Sequence, residues 1–358
     1  MKKIGILTSG GDCQGLNATI RGVAKGIYQL MDDVEIYGIS DGYKGLIEGH
    51  LRLMQPSDFS GILTLGGTIL GTSRQPFKQM QVADENNVDK LDMMVKTCRK
   101  SKLDCLVVLG GNGTHKSANL LSEKGINVIG LPKTIDNDIY GTDMTFGFQS
   151  AVDIATDVID RIHSTATAHG RTFVIELMGN KAGFLTLNAG VAGGADIILI
   201  PEIPYDLRVV ADALIKRSEN GKQFSIIAVA EGAISKEEAA LPKKALKEQK
   251  AKYPPYYTVG QRLTEKLLEM HDLDIRVTIP GHYQRGGAPC AFDRNLATRL
   301  GAQAAEYIRD GRFGVMVGVS NQKLVPVPLK DVAGNIKRVD ISDCLVKAAR
   351  SIGVSFGI

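Results

Sequence analysis

Two carboxylates stand close together in the segment 132–138, which reads Pro-Lys-Thr-Ile-Asp-Asn-Asp and follows a short apolar run. Asp136 and Asp138 flank Asn137. Carboxylate oxygens bind hard cations and accept protons, so one carboxylate could hold a divalent metal ion while the other acts as a general base. The structural alternative is an Asx-type turn and helix cap, which would need only one of them.

Two glycine-rich segments also follow apolar runs. Residues 10–17 read Gly-Gly-Asp-Cys-Gln-Gly-Leu-Asn, and residues 110–114 read Gly-Gly-Asn-Gly-Thr. Glycines let the backbone approach a ligand closely, and a following helix N-terminus offers free N–H groups to an anion. The first segment is neither a Walker A nor a G-x-G-x-x-G motif. A tight turn explains either segment alone, whereas the two together predict a ligand with several phosphates.

A third glycine-rich segment carries cationic side chains. Residues 281–287 read Gly-His-Tyr-Gln-Arg-Gly-Gly, so His282 and Arg285 could form a phosphate clamp. A glycine turn with solvated polar side chains is the alternative. Three further arginines stand at strand ends or in glycine-bounded loops, where each alone would be a surface charge: Arg74, Arg171 and Arg276.

The elements that must position these residues repeat one pattern. Runs rich in β-branched and other apolar residues occupy 3–8, 105–109, 128–131, 172–176 and 224–230. Such runs are typical of strands buried on both faces of a parallel sheet. Helical patterns follow at 16–30, 116–124, 150–163 and 208–217. The repeated order predicts a doubly wound α/β fold, in which ligands bind at the carboxyl ends of the strands.

Composition narrows the class of protein. The 358 residues predict roughly two domains, and 40 glycines without a G-X-Y period exclude collagen. The net charge of +4 is too small to indicate nucleic-acid binding, and no apolar stretch approaches the roughly eighteen residues of a membrane span. The N-terminus lacks a signal-peptide pattern, and the five cysteines are scattered. We therefore expect a cytoplasmic protein with reduced thiols and no nucleic-acid or membrane partner.

Together these segments resemble the phosphofructokinase family, of the phosphofructokinase A type. The resemblance extends from Ile4 to about Val327 and rests on segments in family order at 8–12, 66–74, 132–138, 176–179 and 281–287. It implies an α/β protein of two doubly wound domains, with mainly parallel sheets and the active site in the cleft between them. The implied domains are 1–147 with 284–334 for the phosphate donor, and 148–283 with 335–358 for the sugar phosphate.

The resemblance also implies a reaction. The family transfers a phosphate from Mg²⁺-bound ATP to the 1-hydroxyl of fructose 6-phosphate, which gives fructose 1,6-bisphosphate in glycolysis. Asp136 matches the family's general base, and Thr134 and Asp138 match residues beside it. Arg74 matches a residue that contacts the transferring phosphate. Asn112 and Asp138 match the positions associated with the metal ion.

Binding residues follow from the same resemblance. The donor side comprises Gly11, Tyr43, Arg74, Gly110, Gly111, Asn112, Gly113, Thr114 and Lys133. The fructose 6-phosphate side comprises Arg171, Met178, Gly179, Glu231, Arg276, His282 and Arg285. In the family the residues matching Arg171 and Arg276 reach across from a neighbouring subunit. The resemblance therefore implies a homo-oligomer, a tetramer or dimer, with sites shared between subunits.

Two positions bear on the phosphate donor. Family members that use ATP usually have glycine at the position of Gly113, whereas an aspartate there would repel the α-phosphate of ATP. Lys133 is typical of members that use pyrophosphate, although some ATP users combine the glycine with a lysine. We give Gly113 more weight and predict ATP, with pyrophosphate as the alternative.

Other positions depart from the family pattern. Asn112 replaces an aspartate, and Asn180 replaces an arginine that stabilises the transition state, a loss for which Lys133 or Lys181 could compensate. These departures leave open a catalytically weak paralogue that only binds sugar phosphate or nucleotide. A different acceptor, such as sedoheptulose 7-phosphate, is also open.

The effector site of the family is altered as well. Arg21 matches an effector-binding residue, but Lys25, Pro56 and His163 replace arginines. We expect control by ADP or phosphoenolpyruvate to be weakened or absent.

Overall fold

The computed structural model describes residues 1–83, 89–254 and 256–358. The chain divides into two compact units, one of residues 1–150 and 285–337, the other of residues 151–284 and 338–358. It passes from one unit to the other within the helix Phe148–His169, within the 3₁₀ turn Gly281–Arg285, and again after Lys337.

The first unit is built on a seven-stranded sheet. Its strands are β1 (Lys2–Ser9), β2 (Val34–Ile39), β3 (Leu51–Met54), β4 (Cys105–Gly110), β5 (Val128–Pro132), β10 (Val315–Ser320) and β11 (Lys323–Pro328). The order across the sheet is β11-β10-β5-β4-β1-β2-β3. The five strands from β10 to β2 are parallel to their neighbours, and the two edge strands are antiparallel.

Helices cover this sheet. They are α1 (Leu16–Leu30), α2 (Tyr43–Glu48), α3 (Lys90–Lys100), α4 (Asn112–Glu123), α11 (Ala291–Arg309) and α12 (Leu329–Val332), with 3₁₀ turns at Pro56–Phe59 and Phe77–Gln79. All six residues of β4 are buried, as are all five of β5, which explains their continuously apolar sequence.

The second unit has a four-stranded parallel sheet. Its strands are β6 (Thr172–Leu177), β7 (Ile197–Leu199), β8 (Ser225–Ala230) and β9 (Ile275–Thr278), in the order β7-β8-β6-β9. Its helices are α6 (Phe184–Ala192), α7 (Leu207–Glu219), α8 (Lys236–Ala240), α9 (Lys243–Ala251), α10 (Val259–Met270) and α13 (Cys344–Ser351). The helix Phe148–His169, α5, begins in the first unit and continues into the second.

The predicted mixed α/β fold with mainly parallel sheets is confirmed. The helix predicted at 16–30 has the observed bounds, whereas α4 begins at Asn112, four residues before the predicted start at 116. The first turn was not predicted because glycine and asparagine have low helix propensity. No helix of the described residues is long and apolar enough to cross a membrane.

Candidate active site

Three loops begin side by side at the carboxyl ends of β1, β4 and β5. The parallel register places Ser9 beside Gly110, and Gly110 beside Pro132. The segments 10–15, 111–114 and 133–138 follow these residues directly. The register therefore gathers three of the segments that the sequence marked for chemistry at one edge of one sheet, as parallel strands require.

The loop that carries the two carboxylates is irregular but tightly bonded. The backbone N–H of Asp136 donates to Thr134 Oγ1 over 3.1 Å, and Thr145 Oγ1 donates to the carbonyl of Thr134 over 2.7 Å. Asn137 lies in the left-handed region with φ of 51°, which asparagine tolerates better than most residues. No helix begins between residues 133 and 147, so the helix-cap alternative for these carboxylates is wrong.

Asp138 lies beside Asn112. The Asn112 amide donates from Nδ2 to the carboxylate of Asp138 over 2.8 Å. Burial and, to a smaller extent, the neighbouring charge of Asp136 together raise the pKa of Asp138 to about 6. Both carboxylates are buried, so the charged form of this pair needs a compensating cation or proton.

These side chains fit a hard divalent cation. Asn112 Oδ1 is buried and has no hydrogen-bond partner among the described residues. This amide oxygen and the neighbouring carboxylate of Asp138 are two oxygen ligands of the kind that Mg²⁺ prefers. In the described part of the chain, no group of three His, Cys, Asp or Glu side chains could hold a metal by itself. Water and phosphate oxygens would have to complete such a site.

The first turn of α4 supplies an anion-binding end. Gly111 precedes the helix in an extended conformation, and Asn112, Gly113 and Thr114 form its first turn. The N–H groups of a first turn have no partner within the helix and favour negative charge. Gly113 is exposed, and a Cβ added there would meet nothing within 4 Å. The surface at Gly113 is therefore open to a ligand.

Three cationic side chains surround Gly11. A Cβ added to Gly11 would lie 3.2 Å from the guanidinium of Arg285 and 3.3 Å from that of Arg74, so glycine leaves room for both. The Lys133 ammonium is buried and donates to the carbonyl of Gly11. Burial lowers the pKa of Lys133. Arg285 was predicted to bind the sugar phosphate. It belongs to the first unit, where it donates a hydrogen bond to the carbonyl of Asp12 over 3.2 Å.

The loop that carries Arg74 is fastened to this edge of the sheet. Thr72 Oγ1 donates to the carbonyl of Gly10 over 2.7 Å, and the Gly10 N–H donates to the carbonyl of Ser73 over 3.0 Å. The buried side chain of Asn17 is bonded to the same loop, because its Oδ1 accepts a hydrogen bond from Ile69 N–H over 2.8 Å. These bonds hold Arg74 in place without helix or strand.

Residues at the carboxyl ends of β6 and β8 form a second group, in the second unit. Glu231 accepts hydrogen bonds from the N–H groups of Gly179, over 3.2 Å, and Asn180, over 2.7 Å. Gln284 accepts from Met178 N–H over 3.2 Å, which ties this group to the turn that carries the exposed His282. The structure thus brings together Met178, Gly179, Glu231 and the turn around His282.

Arg171 and Arg276 do not join that group. Arg171 Nε lies 2.6 Å and Arg276 NH1 2.7 Å from different oxygens of Asp274, at the amino end of β6. Met178 follows the opposite end of this six-residue strand, a distance of about 20 Å. Within one chain these two arginines therefore cannot bind the same small molecule as Met178.

Comparisons with known proteins show the family of this chain. The family model described as phosphofructokinase matches residues 3–308. The chain belongs to the phosphofructokinase family. It is 54% identical to an "ATP-dependent 6-phosphofructokinase" of Spirochaeta thermophila, with 99% of this chain and 98% of that protein covered. It is 46% identical to one of Propionibacterium freudenreichii, with 99% of each covered.

A solved relative shares the fold. The "phosphofructokinase in the T-state" of Pichia pastoris is 32% identical and superposes with a TM-score of 0.79. The match covers 92% of this chain but 35% of that longer chain.

One predicted donor residue of this phosphofructokinase-family chain is buried. Tyr43 is 1% exposed, and its hydroxyl donates to the carbonyl of Thr114 over 2.9 Å. Thr114 is buried too, and its hydroxyl donates to the carbonyl of Ser9 over 3.3 Å. In this structure both side chains support the α4 turn from within the core rather than line an open surface.

Sequence reasoning missed two residues that hold these phosphofructokinase loops. His115 is fully buried with Nδ1 3.0 Å from the carbonyl of Gly111, and burial lowers its pKa to about 4. Lys337, the last residue of the first unit in sequence, bonds to the loop between Asn137 and Asp143, and burial lowers its pKa to about 8. A single histidine forms no spacing pattern that could mark it as functional, and Lys337 is 200 positions from Asn137 in sequence.

Proposed function

We propose that this chain is an ATP-dependent 6-phosphofructokinase. It transfers the terminal phosphate of ATP to the 1-hydroxyl of fructose 6-phosphate and forms fructose 1,6-bisphosphate and ADP, a step of glycolysis. The observation that carries this proposal is the carboxylate loop 133–138, which lies beside the first turn of α4 and the cations around Gly11. The names of the curated relatives support the choice of ATP.

Asp136 acts as the general base in this proposal. The residue is buried and its backbone N–H is bonded to Thr134 Oγ1, and its carboxylate would take the proton of the sugar hydroxyl as the oxygen attacks the terminal phosphorus. The bond from phosphorus to the bridging oxygen of ADP breaks as the new bond forms. Arg74 and Arg285 supply positive charge beside Gly11 for the moving phosphate.

The donor lies along the first unit. Gly11, Gly111 and Gly113 let the phosphates approach the backbone, and the α4 terminus favours their charge. Gly110 and Thr114 are buried and support this turn from within. The open surface at Gly113 leaves room for the α-phosphate of ATP, which supports ATP over pyrophosphate. Lys133 holds the Gly11 carbonyl beneath the phosphates.

Asn112 and Asp138 would hold Mg²⁺. A magnesium ion held there would supply positive charge to offset the negative charge of the phosphates. The buried amide oxygen of Asn112 and the carboxylate of Asp138 are the side-chain ligands that this chain offers.

The sugar phosphate is assigned to the second group of residues. Met178, Gly179, Glu231 and His282 would bind fructose 6-phosphate. Since Arg171 and Arg276 lie at the other end of β6, they would serve the site of a neighbouring subunit. We therefore propose a homo-oligomer with shared sites, a dimer or tetramer.

A donor assay tests the proposed reaction. Fructose 1,6-bisphosphate is measured through coupled aldolase with ATP or pyrophosphate, with and without MgCl₂. We expect kcat/KM with ATP to exceed that with pyrophosphate by at least about a hundredfold, and no rate after EDTA. A rate with pyrophosphate alone would contradict ATP as the donor. Binding of both substrates without turnover would indicate the catalytically weak paralogue.

Mixing variants tests the shared site. Arg276→Ala and Glu231→Ala would each lose sugar-phosphate affinity. If sites are shared, co-refolded mixtures contain some intact sites and regain up to about a quarter of wild-type activity, as random pairing predicts. A mixture no more active than either variant would contradict sharing.

A further inference from the structure

An ammonium group holds the carboxylate loop from a distant part of the chain. Lys337 Nζ donates to Asn137 Oδ1 over 3.1 Å, to the carbonyl of Thr142 over 2.8 Å and to the carbonyl of Asp143 over 2.9 Å. Lys337 and Asn137 are 200 positions apart in sequence. The backbone N–H of Lys337 also donates to the carbonyl of Asp138 over 2.9 Å. Lys337 therefore bonds both to the start of the loop, at Asn137 and Asp138, and to its end, at Thr142 and Asp143.

The three oxygens around the ammonium are a cation-binding set. They are two backbone carbonyls and one amide oxygen, and each matches one N–H donor of a lysine ammonium. Carbonyl and amide oxygens are also the groups that coordinate small cations when no lysine is present. An ammonium ion of the solvent could therefore satisfy the same oxygens.

Asn137 connects the Lys337 ammonium to the backbone of the loop. Asn137 has a left-handed backbone, and its Oδ1 accepts from both Lys337 Nζ and Thr145 N–H, the latter over 3.1 Å. This conformation lies between Asp136 and Asp138 and sets how the two carboxylates are presented. The segment lies outside the named helices and strands, and one isolated antiparallel bridge pairs Ile139 with Ile336. The side-chain bonds at Asn137 therefore contribute to its shape together with that bridge.

We propose that Lys337 is a positioning residue whose ammonium serves as a tethered cation for the loop 136–143, and that it keeps Asp136 and Asp138 in their reactive arrangement. This inference rests on the proposed roles of Asp136 and Asp138. Lys337 does not contact the substrates in this assignment; it acts through Asn137 and the backbone.

Chemical rescue tests the proposal. Lys337→Ala removes the ammonium and leaves space for a small amine. We expect kcat with ATP and fructose 6-phosphate to fall about a hundredfold, with smaller changes in both KM values, because a displaced base costs this much. Ammonium chloride or ethylamine should then restore kcat about tenfold or more. Tetramethylammonium chloride at the same ionic strength, too large for the space, should not.

The matched control is Lys323→Ala, which removes an exposed lysine of β11. Its activity and its response to ammonium should equal those of the wild type. Unchanged kcat in Lys337→Ala would overturn the proposal, and so would a loss that no small amine repairs.

A second variant covers a failure to fold. If Lys337→Ala is unfolded by circular dichroism, Lys337→Cys is assayed before and after alkylation with 2-bromoethylamine, which rebuilds an ammonium on a side chain of similar length. Wild-type protein treated in the same way controls for the exposed Cys344. Restored kcat after alkylation supports the tethered cation, and no restoration overturns it.

The proposed function is checked in the same assays. Wild-type protein without activity, or an active Asp136→Asn variant, would contradict the roles on which this inference rests. Active wild type, inactive Asp136→Asn and unaffected Lys337→Ala would contradict the Lys337 proposal alone.

Discussion

Asn112 donates a hydrogen bond of 2.8 Å to the carboxylate of Asp138, 26 positions later in sequence. The amide satisfies the carboxylate without adding a second negative charge beside Asp136. Asparagine at position 112, where the resemblance implies an aspartate, therefore changes the charge of this group when no metal is bound. It lowers the repulsion within a buried group of acids, at the expense of charge for binding a cation.

We predict that Asn112→Asp makes the protein depend on Mg²⁺ for stability. The new carboxylate loses the donor to Asp138 and adds like charge, so Tm without metal should fall by several degrees. Added MgCl₂ should then raise Tm more than in the wild type, since the site gains a charged ligand. Thermal unfolding with EDTA or MgCl₂ measures this. Asn220→Asp, at an exposed helix end, is the control, and an equal Mg²⁺ response in all three proteins would count against the assigned metal site.

Asp136→Asn should abolish most turnover. The amide cannot accept the hydroxyl proton, so kcat should fall about 10²- to 10⁴-fold while both substrates still bind. Steady-state kinetics and calorimetric binding measure the two effects. Asp143→Asn is the matched control, because the Asp143 carboxylate is exposed and accepts a hydrogen bond from the backbone N–H of Asn321. Comparable losses in both variants would argue against Asp136 as the base.

Substitution of Gly113 separates charge from size at the donor site. Gly113→Ala adds a methyl group to open space and should leave the KM for ATP within about threefold, because no contact forms within 4 Å. Gly113→Asp adds a negative charge where ATP would place its α-phosphate, and it should raise that KM at least about tenfold. The KM for fructose 6-phosphate is the internal reference. Equal effects of the two variants would contradict the assigned position of the phosphates.

Lys133→Gly should remove most of the activity if the Lys133 ammonium compensates for the missing arginine at Asn180. The buried ammonium bonds to the Gly11 carbonyl, so its loss also loosens the first glycine loop. We expect kcat to fall at least about a hundredfold. Lys181→Ala, which removes the exposed alternative cation, should have little effect. Full activity in Lys133→Gly would refute compensation by Lys133. A large loss of activity in Lys181→Ala would indicate that Lys181 compensates for the missing arginine instead.

Acid stability should report on His115. Burial lowers its pKa from 6.5 to about 4, so the unfolded chain binds a proton in a range where the folded chain does not. The neutral histidine therefore costs no stability above pH 6.5, and the free energy of unfolding falls as the pH drops from about 6.5 to about 4, by about 3 kcal/mol in all. His115→Asn keeps an N–H donor near Gly111 but cannot titrate, so it should lose this part of the slope. Urea unfolding at several pH values measures it, and identical slopes would contradict the assignment.

Much of the fold could be predicted from local patterns. The apolar runs at β1, β4, β5, β6 and β8 and the helix α1 follow from residue type and spacing, because strands buried on both faces must be apolar throughout. The loops at their carboxyl ends were predicted as well. The start of α4 was not, since glycine and asparagine have low helix propensity and tertiary context overrides it.

The sequence by itself determined which chemical groups are available: the Asp136–Asn137–Asp138 pair of carboxylates, the glycine loops and the arginines, in family order. Only the tertiary structure decided which of them meet. It pairs Asn112 with Asp138, sets Arg285 beside Gly11, joins Arg171 to Arg276 through Asp274, and brings Lys337 to Asn137 across 200 positions. Such contacts depend on strand order and loop closure, which local propensity does not encode.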